Sequence, residues 1–87
     1  MTLFAILGHD ENPKLEAALA VHFPDNFLKI GAGQWLVAGK GTSVDVSNVL
    51  GISDGSSGSA IVVSVASYYG RAASNIWEWM KVKLSAS

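Results

Sequence analysis

Two short stretches of the chain, Thr2 to Leu7 and Ala60 to Ala66, are apolar at odd and even positions alike. Successive side chains of an extended strand point to opposite faces, so runs of this kind need cover on both sides of their sheet. An open sheet with one wet face is thereby excluded. The rest of the chain must supply helices for one face, and a further helix or a second subunit for the other.

The intervening sequence reads as that cover. Asn12-Pro13 places an N-cap before a proline at the first helical position, and Leu15, Ala18, Leu19 and His22 or Phe23 follow on one helical face. This helix is expected to stop at Phe23-Pro24, with His22 as a core or boundary residue. Phe27 to Ile30 and Gln34 to Ala38 flank Gly31-Ala32-Gly33, which reads as a hairpin turn. Thr42 with Asp45 three residues on forms a capping box, and Val46, Val49 and Leu50 make a stripe that ends at Gly51. A Gly/Ser-rich loop, Ser53 to Ser59, leads into the second two-sided run. Asn75 with Glu78 makes a second capping-box pattern that predicts a final helix capped by Asn75, with Ile76, Trp79, Met80 and Lys83 on one face and Trp77 and Leu84 flanking it.

The predicted order is strand, helix, strand, strand, helix, strand, helix. This is an α+β (α/β) pattern: a ferredoxin-like βαββαβ four-stranded antiparallel sheet with an additional C-terminal helix, in one domain over 1–87. The first and third strands are expected to lie parallel at its centre. A chain of 87 residues buries only about 60–65% of its unfolded surface, and 49% of these residues are hydrophobic. That apolar content is high for so small a monomer.

Charge and cysteine content narrow the function classes. The chain has no cysteine, which removes disulfides, thiolate metal sites and cysteine nucleophiles. Six basic and seven acidic residues are scattered to a net charge of −1, so no basic footprint for nucleic acid is present. The opening apolar run lacks the positive flank of a signal peptide and is too short to span a bilayer. The expectation is a cytoplasmic protein without a membrane segment.

Parallel central strands would gather His9, Asp10, Glu11, Lys40, Asp54 and Ser56 to Ser59 at one sheet edge. A histidine beside two carboxylates suits general-base or divalent-ion chemistry, or simply a solvated turn ahead of a helix. His9 and Asp10 are the catalytic candidates. The opposite edge would join the hairpin glycines to Tyr68-Tyr69-Gly70-Arg71, where Tyr69 and Arg71 suit base stacking and phosphate contact, or a capped core. Lys40 and Ser57 complete the candidate binding set. Gly39-Lys40-Gly41-Thr42 fails the P-loop test, because Gln34 and Gly41 occupy the places of its first glycine and its Ser/Thr. No nucleophile elbow is present, and no resident metal or cofactor is expected. Trp35 reads as core. Trp77 and Trp79 lie about 200° apart on an ideal helix, so they cannot both face the same sheet; an interface position is expected for them, with a merely half-buried ring as the alternative.

Four stretches carry a family resemblance: Leu3 to Leu7, Gln34-Trp35-Leu36-Val37, Ile61 to Val65, and Asn75-Ile76-Trp77-Glu78-Trp79-Met80-Lys81. Over nearly its whole length the chain resembles the small bacterial SinR-like proteins, which are similar to CRISPR adaptation endonucleases and VapD-type ribonucleases. The resemblance implies a homodimer and, in the nuclease branch, a metal-binding aspartate at the end of the first strand. Gly8-His9-Asp10 stands there, with Asp10 displaced by one or two residues. The leading expectation is a non-enzymatic homodimeric interaction module, with a further protein partner as an option. The alternative is a metal-dependent nuclease or RNA-binding protein using His9 and Asp10. A small-ligand binder built on the serine-rich loop is a third reading.

Overall fold

The computed structural model describes residues 2–67 and 74–85. Its elements are β1 (Thr2–Leu7), α1 (Pro13–His22), β2 (Phe27–Gly31), β3 (Gln34–Gly39), α2 (Ser43–Val49), β4 (Ile61–Ser64) and α3 (Ser74–Ser85). The strands form one sheet in the order β2-β3-β1-β4, and every neighbouring pair is antiparallel. This is the ferredoxin-like arrangement with one helix added.

Local chemistry explains the helix starts. The Asn12 side chain accepts from the Leu15 amide at 3.1 Å, and Pro13 opens α1. The Thr42 hydroxyl accepts from the Asp45 amide at 3.2 Å while the Asp45 carboxylate accepts from the Thr42 amide at 2.9 Å. Each pairing satisfies amides that the first helical turn leaves without partners. The expectation for α3 is corrected: the helix already includes Ser74, so Asn75 lies inside it rather than capping it.

Register divides the side chains between two layers. Phe4 and Ile6 of β1 join Trp35 and Val37 of β3 beneath Leu15 and Leu19 of α1 and Val46 and Leu50 of the α2 region. Leu3, Leu36 and Ala38 face the other way, against Met80, with Ile76 and Trp79 packed alongside. The two-sided strand β1 is thus covered twice, by α1 and α2 on one face and by α3 on the other. His22 departs from its expected place. The buried stripe of α1 runs through Leu15 and Leu19 to Phe23, which leaves His22 exposed.

The central strands also correct an expectation. β1 and β3 run antiparallel, with Thr2 opposite Gly39 and Leu7 opposite Gln34. The crossover through α1 sets β1 and β2 in the same direction with one strand between them, and the hairpin reverses the chain into β3. That strand must therefore oppose both neighbours. Lys40 consequently leaves the sheet at the end opposite to His9, and the hairpin glycines lie beside His9 rather than across from it.

Candidate functional site

Three connections converge where β1 leaves the sheet: residues 8–12, the β2–β3 hairpin, and the loop ahead of β4. The Gly8 amide donates to the Gly33 carbonyl at 2.8 Å, which extends the β1–β3 ladder past the strand ends. Gly33 has φ +69°, and a Cβ there would overlap the backbone of Asp10. The hairpin glycine therefore does more than reverse the chain: it lets two loops lie backbone to backbone. Asn12 adds the third connection, since its side-chain amide donates to the Ser57 carbonyl at 2.7 Å.

Between these loops lies a cleft of about 190 Å³ bordered by His9, Asp10, Asn12, Gly33, Trp35 and Ser59. Much of its polar wall already serves the fold. Both functional atoms of Asn12 are engaged, and Glu11 pairs with Lys29 at 2.5 Å. The Trp35 indole N–H donates to Glu16 at 3.4 Å. His9 and Asp10 stand exposed at the mouth. Among the described residues, no group of three His, Cys, Asp or Glu side chains is arranged to hold a metal ion.

Two titrating groups report on these loops. The hydrogen bond to Glu11 is the main cause that raises the Lys29 pKa above the usual lysine value. The resulting stabilisation is present below the unfolded lysine pKa and fades as pH rises through the raised folded value. It is small, because the pair is solvent-screened. Hydrogen bonding from Ser56 lowers the Asp54 carboxyl below its ordinary pKa. That contribution is present above the unfolded value and is lost as pH falls through the depressed one.

The other sequence-predicted site residues are scattered. Lys40 borders a separate groove of about 330 Å³ with His22, Phe23, Asp45, Val46 and Val49, at the far end of the sheet. Ser57 lies in the loop that meets Asn12, its amide donating to the Gly51 carbonyl at 2.8 Å. Tyr69 and Arg71 lie outside the described residues. Trp79 packs half-buried beneath the α3 cluster, with the Lys83 ammonium 5.9 Å from its ring centroid. Trp77 is also half-buried.

A surface that no motif marks lies along the β1–β4 border. α3 shields the Leu3 end of its sheet face, but toward the cleft Leu7 is 40% exposed, Val63 39% and Ile61 63%. Leu7 pairs with Ile61 and Ala5 with Val63, so the three exposed side chains share one face. The two-sided apolar pattern was the signal for this strip, since it demanded more cover than one helix of this length gives.

The site thus defines a small ferredoxin-like domain with a loop-tied cleft and an apolar sheet border. Comparison with protein families, curated proteins and solved structures found no match. No helix among the described residues is long and apolar enough to cross a membrane.

Asn12→Ala is expected to cost about 2 kcal/mol, combining a lost N-cap with a partly buried carbonyl left unpaired. Asn12→Asp keeps the cap acceptor but removes the donor to Ser57, so it should fall between wild type and Asn12→Ala in thermal unfolding. Equal losses in the two variants would show that the cap contributes nothing.

Proposed function

We propose that this protein is a non-enzymatic homodimeric interaction module whose contact surface lies along the β1–β4 border of the sheet. The observation that carries this reading is the apolar strip formed by Leu7, Ile61 and Val63 on the side of the sheet that α3 covers in part. Small domains bury a limited share of their surface, and a second copy meeting β4 supplies apolar neighbours to Ile61 and Val63 of this strip. The segment from Gly55 to Ser67 carries no charged residue, so two copies approaching along it bring no like charges together. The cleft beside His9 and Asp10 is secondary here, because its Asn12, Glu11 and Trp35 polar atoms already have partners within the chain.

Solution mass measured by sedimentation over a range of concentrations tests the proposal. The expected result is twice the chain mass, with dissociation on dilution. A monomer throughout the range, up to about millimolar concentration, overturns it. Ile61→Lys, placing a charge on the exposed strip, should weaken association by about tenfold or more while leaving the monomer folded.

A further inference from the structure

We infer that the two copies join by antiparallel pairing of β4 with β4 across a two-fold axis through Val63, which would make one continuous eight-stranded sheet. The inference rests on the homodimer reading and specifies its geometry.

The backbone register carries the argument. The Val65 amide donates to the Leu3 carbonyl at 2.9 Å, and β4 pairs with β1 so that Ala5 faces Val63 and Leu7 faces Ile61. In an antiparallel ladder the pairs that exchange hydrogen bonds alternate with pairs that do not. Ile61, Val63 and Val65 therefore direct their backbone groups at β1. The N–H and C=O of Val62 and Ser64 point away from the sheet, and among the described residues no strand lies beyond β4.

The two sheet edges differ in how they guard such groups. At the other edge, β2 carries Lys29 and a register irregularity between Lys29 and Gly31, and charge and bulges of this kind block edge-to-edge pairing. β4 is Ile-Val-Val-Ser, without charge, proline or bulge. Among the described residues, its one protective feature is its shortness.

A two-fold axis makes strand partners antiparallel and self-complementary. Centred on Val63, it lets Val62 exchange both bonds with Ser64 of the partner subunit, and Ser64 with Val62 of the partner subunit. All four hydrogen bonds then lie within the observed strand. Centring on Val62 would need Ala60, which lies outside it. The Val63 register also sets Val63 against Val63 of the partner subunit, and Ile61 against Val65 of the partner subunit. β-branched cross-strand pairs of this kind stabilise sheets, and both lie on the face that bears α3.

Single cysteines test the register without ambiguity, because the chain has none of its own. Two residues facing each other at a non-hydrogen-bonded position have Cα atoms about 4.5 Å apart, within disulfide range. Val63→Cys should therefore convert nearly all of the dimer to a covalent form under mild oxidation. Ile61→Cys should remain unlinked, since its symmetry mate lies four residues along the partner strand, about 13 Å away. Ser64→Pro, which removes an outward donor and leaves the β1 ladder intact, should raise the dissociation constant by about tenfold or more. A dimer in which Val63→Cys stays unlinked, or in which both cysteines link equally, overturns this geometry while leaving the homodimer reading standing. A strict monomer overturns both.

Discussion

Trp35→Ala is expected to lower stability by about 3–5 kcal/mol, the usual cost of removing a large buried aromatic ring. Trp35 is the largest fully buried side chain, 1% exposed at the centre of the cluster that joins β1, β3, α1 and α2. Domains of ordinary stability hold only about 5–15 kcal/mol in all. At roughly 4–8 °C per kcal/mol for a domain of this size, the melting temperature should fall by about 15–30 °C. Circular dichroism at the amide band is the appropriate probe, since the substitution removes a fluorophore. Trp35→Phe retains most of the ring volume and forfeits the 3.4 Å bond to Glu16, so its loss should be clearly smaller. A loss below about 1 kcal/mol for Trp35→Ala would be incompatible with a core organised around this ring.

The second large effect comes from adding one methyl group. Gly33→Ala forces a non-glycine residue into the left-handed region at φ +69° and drives its Cβ into the Asp10 backbone. The conformational part costs about 1–2 kcal/mol. The overlap adds to it, because a backbone carbonyl cannot swing aside as a flexible side chain can, and a total of about 3 kcal/mol is expected. Gly55→Ala is the natural control. Gly55 has φ +78°, but nothing lies within 4 Å of a Cβ placed there. It therefore incurs the conformational cost alone, and the difference between the two variants isolates the contact between hairpin and loop. Amide exchange at Gly8, which donates to the Gly33 carbonyl, should accelerate in Gly33→Ala and stay unchanged in Gly55→Ala. Equal destabilisation by the two substitutions would remove the close approach from the account.

The candidate surfaces were only partly legible in the residues. The need for cover on a second sheet face followed from Leu3, Ala5 and Leu7 standing opposite Phe4 and Ile6, and α3 supplies part of that cover through Met80, Ile76 and Trp79. Which part remained open did not follow. It depends on where a helix of twelve residues comes to rest, and that leaves Leu7, Ile61 and Val63 beyond its reach. Convergence of His9, Asp10 and Lys40 requires β1 and β3 to run parallel; their antiparallel pairing puts Lys40 at the opposite end of the sheet from the other two. The link from Asn12 to Ser57 spans 45 residues. The Asn-Pro pair announces a helix cap and nothing about that second partner.

Signals that arise from local physics are read directly from the residues, with the start of α3 at Ser74 rather than after Asn75 as the exception. The cap at Asn12, the capping box at Thr42 and Asp45, the hairpin glycines and the two-sided strands each arise from hydrogen bonds or side-chain periodicity within a few residues. Their order along the chain was sufficient to derive the ferredoxin-like class. Strand direction at the sheet centre, the backbone contact between Gly33 and Asp10, the outward amides of β4 and the uncovered strip all arise from pairings between residues distant in sequence. Their energies come from register and packing shared among several elements, so no single stretch of the chain encodes them.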